Sequence, residues 1–109
     1  WRPIKGPVES SPLALASATS IPANDLVAVD QRFPDRVGEI YQLAFGKGHE
    51  WYYAPGMMPN EVIIIKGWDS LNDGRAQFTP HGAFEHPSET PKSKPRESIE
   101  TRTYLVFKG

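Results

Sequence analysis

The sequence predicts an all-β domain built from short strands, either a sandwich or a barrel. Eleven prolines and nine glycines are spread along 109 residues and interrupt the chain too often for long helices. Between these breaks, stretches rich in β-branched and aromatic residues favour strands. The predicted strands lie near Trp1–Ile4, Leu13–Ala16, Val37–Phe45, Glu50–Tyr53, Glu61–Gly67, Thr79–Phe84 and Ser98–Phe107. A segment from Asn24 to Val29 fits either a helical turn capped by Asn24 or a further short strand.

The most strand-like segment is "EVIIIKGW", in which three isoleucines follow Val62. Such a β-branched run, apolar on both faces, predicts a strand covered by a layer on each side. The flanking segments "PGMMPN" and "DSLNDGR" are typical of turns, with Asp73 and Gly74 suited to a tight turn. Lys66 interrupts the apolar run, so we expect it at the exposed end of the strand rather than paired or snorkelling.

The composition indicates one globular domain over residues 1–109. Hydrophobic residues make up 39% and charged residues 23%, which is typical of a folded chain. A net charge of -1 argues against partners such as nucleic acids or anionic membranes. No apolar run is long enough to span a bilayer and no signal peptide is visible, so we expect a cytoplasmic location.

Several chemistries are excluded by residue content. The sequence contains no cysteine, which rules out disulfides and thiolate metal sites. Any metal must be held by His, Asp or Glu, ligands that suit zinc or non-haem iron better than an iron–sulfur cluster. Neither a glycine-rich phosphate loop nor a nucleophile motif such as G-x-S-x-G is present, so hydrolase and kinase functions have no support.

The three histidines offer one candidate metal ligand. His81 and His86 lie five residues apart, so a straight strand would point their side chains to opposite faces. Because His86 precedes Pro87 at the start of the polar loop 86–95, we interpret it as a solvated loop residue. His49 adjoins Glu50, but side chains of neighbouring strand residues point to opposite faces, so we do not expect these two to form a ligand pair. His81 therefore stays the candidate, although a lone histidine is more often structural than a ligand.

Arg96 and Ser98 form the candidate anion site. They lie two residues apart, so an extended strand places both side chains on the same side. A guanidinium beside a hydroxyl suits a carboxylate, because arginine offers a bidentate pair of donors and serine one more. Taken alone, the alternating charges of "PRESIETR" favour a solvated strand start instead. We assign the substrate contacts to an N-terminal arginine and an aromatic run: Arg2, Trp51, Tyr52 and Tyr53. Packing in a β core is the commoner use of such aromatics.

Taken together, the segments resemble the hydroxylase/desaturase family of secondary metabolism. The family includes gibberellin-desaturase-like and cephem-methoxylase-like proteins. The matching segments, in order, are "WRPIKGPVESSPLALASATS", "DLVAVD", "GEIYQLAFGKGHEWYYAPGMMPNEVIIIKGWDS", "GRAQFTPHGAF" and "PRESIETR". "HEWYYAPGM", "PHGAF" and "PRESIE" are the most specific, and the resemblance covers almost the whole chain.

The resemblance implies an Fe(II)- and 2-oxoglutarate-dependent oxygenase on a jelly-roll barrel, which is a double-stranded β-helix of the cupin-like kind. It assigns His81 as the distal iron ligand. Arg96 and Ser98 would hold the far carboxylate of 2-oxoglutarate. The implied reaction is hydroxylation or desaturation of a small organic molecule, with the oxygen chemistry supplied by the cofactor.

The sequence departs from the family in one respect, because it contains no His-x-Asp or His-x-Glu. The other iron ligands are therefore expected upstream of Trp1, and the chain is expected to be the C-terminal portion of a larger jelly roll. Alone it should be inactive, since one histidine cannot replace a facial triad. Open strand edges would be covered by a homodimer or by the missing N-terminal strands. The alternative is a non-catalytic cupin-like or β-sandwich binding module.

Overall fold

The computed structural model describes residues 1–108 and is all-β with short strands, as predicted. The strands are β1 (Arg2–Pro3), β2 (Leu13–Ala16), β3 (Leu26–Arg32), β4 (Val37–Leu43), β5 (Trp51–Tyr53), β6 (His81–Ala83) and β7 (Ser98–Ile99). Two 3-10 turns, Ala18–Ser20 and Ala23–Asp25, are the only helical elements of the described chain. Among these residues no helix is both long and apolar enough to cross a lipid bilayer.

The strands form three small sheets. β1 pairs with β7, β3 pairs with β4, and the third sheet has the order β5-β2-β6. The buried hydrophobic residues include three from the central strand β2, namely Leu13, Ala14 and Ala16. Small side chains at this strand suit close packing.

The chain divides into two compact units. The first unit comprises residues 1–13, 53–65 and Ala83 onward, and the second comprises residues 14–52 and 66–82.

In the first unit, the short antiparallel pair β1–β7 aligns Pro3 with Ser98. Pro3 is the largest fully buried side chain, and Met57 is also buried. The pairing continues past the strand end, because Ile4 N–H donates to the carbonyl of Glu97 over 2.8 Å. Val8 N–H donates to the carbonyl of Met57 over 3.0 Å. The β1–β7 pair thus anchors the segment that carries the predicted anion site.

In the second unit, β3 and β4 form a regular antiparallel hairpin. Every residue of β3 is paired, from Leu26 opposite Leu43 to Arg32 opposite Val37. The connecting turn is closed by a 2.8 Å hydrogen bond from Phe33 N–H to the carbonyl of Arg36. Both faces of the ribbon are open to solvent: Val27 on one face is 48% exposed and Tyr41 on the other is 61% exposed.

The most strand-like segment of the sequence, Glu61–Gly67, is not a strand, so that prediction is wrong. It makes only isolated backbone hydrogen bonds. Ile63 exchanges two with Trp1, each 2.9 Å long, and the Lys66 carbonyl accepts one from Thr79. Ile64 is 93% exposed, which contradicts the expected burial on both faces. β-branched composition favours an extended backbone, but a strand also needs a continuous ladder partner.

Other strand boundaries are narrower than predicted. The strand expected to run to Phe107 ends at Ile99, and the one expected to run to Phe45 ends at Leu43. Both expected forms of the segment from Asn24 to Val29 occur in succession, a 3-10 turn followed by β3. Asn24 does not cap this turn, because Pro22 occupies the capping position and no side chain caps it.

The predicted turn at Asp73 and Gly74 is confirmed. Gly74 has φ +94°, a conformation that glycine adopts without steric cost, and Asp73 Oδ1 accepts a 3.3 Å hydrogen bond from Arg75 N–H. Lys66 is paired rather than lying at a strand end, because its Nζ is 2.7 Å from Asp69 Oδ2. That ammonium, together with the backbone N–H of Leu71, lowers the pKa of Asp69.

Candidate functional site

His81 lies at the start of β6 with its side chain exposed. Its Nδ1 is 2.8 Å from the carbonyl oxygen of Thr79, which can only accept, so Nδ1 carries the proton. Thr79 is itself held in place, because its N–H donates a 2.9 Å hydrogen bond to the backbone carbonyl of Lys66. This contact leaves the Nε2 lone pair of His81 free and fixes the ring orientation. A backbone carbonyl on Nδ1 is a common support for a metal-ligating histidine.

A complete metal site does not form within residues 1–108, where no three His, Asp or Glu side chains cluster as ligands. The assignment of His81 as an iron ligand therefore stays a prediction. An iron site that used His81 would need its other ligands from outside the described residues.

Arg96 is half-buried in the first unit and held from two directions. Its Nη1 donates a hydrogen bond to the carbonyl of Ser11. Its guanidinium carbon lies 5.6 Å from the ring centre of Trp1, within cation–π range. The other guanidinium N–H groups are not used by these contacts. Arg96 can thus present its free donors in a defined plane to an anion.

Ser98 begins β7 and is half-buried like Arg96, whereas Glu97 between them is exposed. This alternation matches an extended chain with Arg96 and Ser98 on one side. Glu97 instead faces solvent and binds Lys5 Nζ at 2.7 Å. Binding of a carboxylate by Arg96 and Ser98 stays a prediction. His81 belongs to the second unit and this pair to the first.

The residues predicted to contact substrate are on the surface rather than in a core. Trp51 and Tyr52 are 46% and 62% exposed, and Tyr53 is 38% exposed. Tyr52 donates its hydroxyl to Glu50 Oε2 over 3.3 Å. Arg2 donates to the carbonyl of Pro59 over 3.1 Å. Their exposure leaves these side chains accessible, and their role in substrate binding stays a prediction.

His86 lies in a loop, as expected, but its side chain is half-buried, so the prediction that it is solvated is wrong. Its ring packs against Phe84 and Tyr53 with centroid distances of 6.0 and 5.5 Å. The chain stays extended beyond β6, so Phe84 and His86 turn inward while Glu85 is exposed. The expected alternation therefore continues through His86, which is why its ring is partly shielded from solvent.

Hydrogen bonds define the tautomer of His86. Ser88 N–H donates to Nδ1 over 3.2 Å, so Nδ1 is the acceptor and Nε2 carries the proton. Nε2–H then donates to the Tyr53 hydroxyl oxygen at 2.8 Å. This leaves the Tyr53 O–H free beside a cavity of about 320 Å³ in the first unit, whose lining includes Val8, Pro12, Ser88 and Ser93.

The third histidine, His49, has a structural role in the second unit. Its Nε2 lies 2.7 Å from Asp25 Oδ2, and its side chain is only 5% exposed. A β-carbon at Gly46 would collide with both partners of this pair. The pair therefore requires glycine at that position and lies at the base of the β3–β4 hairpin, where Ala44 N–H donates to the Asp25 carbonyl.

Sequence reasoning did not detect a network that links residues 9–11 to the loop 86–95. Glu89 Oε1 accepts hydrogen bonds from the N–H groups of His86 (2.8 Å) and Ser11 (2.7 Å). These two hydrogen bonds lower the pKa of Glu89, and the one from His86 N–H has the larger effect. Ser11 in turn accepts from Arg96 through its carbonyl. We call the three residues Glu89, Ser11 and Arg96 the Ser11 clamp.

The clamp is flanked by further contacts of the same segment. Glu9 Oε2 accepts from the N–H of Lys94 over 3.0 Å, and this bond is the main cause of the lowered pKa of Glu9. Ser10 Oγ donates to the carbonyl of Lys94 over 2.8 Å. No sequence pattern signals these bonds, because they join residues about 80 positions apart through backbone groups that every residue carries.

A family model described as "Oxidoreductase/YMDC permease-like domain" matches residues 1–107. Among curated relatives, the hydroxylase/desaturase asaB of Aspergillus flavus is 37% identical over 98% of this chain and 53% of its own length. The alpha-ketoglutarate-dependent dioxygenase phiK of a fungal species is 38% identical over 98% of this chain and 39% of its own length.

A solved structure supports the fold. The iron and alpha-ketoglutarate-dependent endoperoxidase NvfI matches with a TM-score of 0.76 and 31% identity, covering 88% of this chain and 36% of that protein. The resemblance to hydroxylase/desaturase proteins and to the jelly-roll oxygenases is thereby confirmed. The chain spans about half or less of the length of the relatives it matches.

Proposed function

Because the chain belongs to the oxidoreductase/YMDC permease-like family, with relatives named as hydroxylase/desaturase and alpha-ketoglutarate-dependent dioxygenase, we propose that it forms part of an Fe(II)/2-oxoglutarate oxygenase. Residues 1–109 act as one domain, the C-terminal portion of that enzyme. The enzyme hydroxylates or desaturates a small organic molecule of secondary metabolism, and a cytoplasmic location is part of the proposal.

The observation that carries this proposal is the ring of His81. Its Nδ1 donates to the Thr79 carbonyl at 2.8 Å and its side chain is exposed, so the other ring nitrogen, Nε2, is available to a ligand. A backbone carbonyl on one ring nitrogen orients the other toward a metal. Iron, when bound, supplies the oxygen activation, and the role of His81 is to contribute one ligand and to orient it.

Arg96 and Ser98 receive the distal carboxylate of 2-oxoglutarate. Arg96 suits this role because the Ser11 carbonyl and the Trp1 ring hold its guanidinium while other N–H groups stay available. Ser98 adds a hydroxyl donor from the same side of the chain. A fixed cation is needed here, and arginine offers directional paired donors that lysine lacks.

The substrate lies near the exposed aromatic run and the N-terminal arginine, with contacts from Arg2, Trp51, Tyr52 and Tyr53. These rings are 38–62% exposed, so they can be covered by an apolar ligand. The remaining iron ligands come from a segment outside residues 1–109, and either that segment or a homodimer covers the open strand edges. The 109-residue chain alone should therefore show no iron-dependent conversion of 2-oxoglutarate to succinate.

The proposal is tested in the full-length oxygenase by replacing the two assigned groups separately. Arg96→Ala should weaken 2-oxoglutarate binding by roughly 2–5 kcal/mol, the range for breaking a buried, hydrogen-bonded charge pair. His81→Ala should abolish iron retention, measured by metal analysis after desalting, while the fold is retained by circular dichroism. Exposed His-to-Ala replacement removes no packing, so loss of fold is not expected. Unchanged 2-oxoglutarate affinity in Arg96→Ala would contradict the assignment and favour the non-catalytic binding module.

A further inference from the structure

The Ser11 clamp connects the Arg96 guanidinium to a carboxylate across the backbone of a single residue. Ser11 N–H donates to Glu89 Oε1 over 2.7 Å, and the Ser11 carbonyl accepts from Arg96 Nη1. Glu89 also accepts from His86 N–H at 2.8 Å, so its side chain cannot rotate without losing two hydrogen bonds. The position of the Ser11 carbonyl thus depends on Glu89.

The backbone of Ser11 is in an uncommon conformation. Its φ is +47°, in the left-handed region that non-glycine residues rarely adopt. Such conformations persist where surrounding contacts hold them and are enriched at functional sites. The two backbone groups of Ser11 are held by Glu89 and Arg96, and its neighbours are held as well, since Ser10 Oγ donates to the Lys94 carbonyl and the Pro12 carbonyl accepts from Phe84 N–H.

We propose that Ser11 and Glu89 are positioning residues for co-substrate binding, holding the Arg96 guanidinium in the plane that meets the distal carboxylate of 2-oxoglutarate. This inference rests on the proposed function. Bidentate recognition requires the guanidinium and the carboxylate to be coplanar, so one fixed Nη1 contact on the protein side selects the usable orientation. The Trp1 ring at 5.6 Å covers the guanidinium without supplying an in-plane contact.

A purely structural role makes a different prediction. If the clamp only held the loop 86–95 in place, its loss would lower stability without changing affinity for one ligand. Positioning of Arg96 predicts a selective effect. The Michaelis constant for 2-oxoglutarate should rise, while that for the organic substrate stays unchanged, because only the co-substrate uses Arg96.

The experiment compares Glu89→Ala, Glu89→Gln and Glu97→Ala in the full-length oxygenase. Glu89→Ala should raise the dissociation constant for 2-oxoglutarate about tenfold, which corresponds to the loss of about one net hydrogen bond. Glu89→Gln keeps an acceptor oxygen at the same place, so it should recover most of the affinity. Glu97→Ala is the matched control, since this neighbouring carboxylate is exposed, binds Lys5 and should leave the affinity unchanged.

A second readout does not depend on turnover. In the 109-residue chain, the guanidinium N–H protons of Arg96, observed by NMR, should exchange with solvent faster in Glu89→Ala than in Glu97→Ala. Wild-type affinity and exchange in Glu89→Ala would overturn the positioning role, provided that Arg96→Ala still loses 2-oxoglutarate binding. If Arg96→Ala also binds normally, the proposed function fails instead. Should Glu89→Ala unfold, Glu89→Asp replaces it in both measurements, because the shorter side chain withdraws the acceptor oxygen from Ser11 N–H while keeping the charge; wild-type affinity and exchange in that variant would overturn the positioning role.

Discussion

The β3–β4 hairpin and the Ser11 clamp show two ways of holding a short chain segment in place. The hairpin pairs seven residues with seven in an uninterrupted ladder, yet both of its faces are exposed. The clamp contains no regular ladder, and its partners are carboxylate, guanidinium and isolated backbone groups. Regular secondary structure and a specified side-chain position are thus separate properties in this protein.

The difference follows from what each set of bonds specifies. Ladder bonds join backbone to backbone, so they define the path of the hairpin but not the direction of any one side chain. The clamp bonds end on the side chains of Glu89 and Arg96, so they define where a charge lies. We therefore expect the hairpin to tolerate surface changes, and the clamp to be sensitive to the loss of a single acceptor oxygen.

The largest effect is expected at the base of the hairpin. Asp25→Ala should lower the free energy of unfolding by about 1–3 kcal/mol, because it leaves the His49 ring, 5% exposed, without its hydrogen-bond partner. The measurement is urea unfolding followed by circular dichroism. Asp30→Ala on the same hairpin is the control and should change stability by less than about 0.5 kcal/mol, since Asp30 is exposed. Equal effects would show that the ladder alone supports the hairpin.

An effect of intermediate size is expected from acidification, which should weaken the Ser11 clamp but not the β3–β4 hairpin. The pKa of Glu89 is held below its ordinary value by the N–H groups of His86 and Ser11, so its contribution to folding is complete above the unfolded pKa. That contribution is lost as the pH falls through the lower, folded pKa. Hydrogen-exchange protection of the Ser11 and His86 amides should therefore decrease on acidification. The β3 amides donate to carbonyls that do not titrate, and their protection should not show this step.

The smallest effect is expected at an exposed ion pair beside the β1–β7 strands. Lys5 and Glu97 approach to 2.7 Å, but their side chains are 73% and 49% exposed. Lys5→Ala should change the free energy of unfolding by less than about 1 kcal/mol, and salt should reduce the difference further. Thermal unfolding at low and high salt tests this. A loss as large as that of Asp25→Ala would contradict the view that buried contacts, rather than surface charge, hold this protein.

The alternation of burial around the candidate site residues could be predicted from local patterns. The exposure of His81 and the partial burial of His86 agree with strand alternation, even though β6 is only three residues long. The shared side of Arg96 and Ser98 follows from the same rule. These predictions succeeded because alternation depends only on the extended backbone, which the chain keeps outside its regular strands.

The sequence by itself determined the short-strand all-β class, the turn at Gly74 and the resemblance that identifies the family. Only the tertiary structure decided that Glu61–Gly67 lacks a ladder, that His86 turns inward, and that Ser11 joins Glu89 to Arg96. The physical reason is the range of the interactions. Propensity and alternation act between neighbours, whereas a strand partner or a hydrogen bond across 78 residues depends on where the whole chain runs.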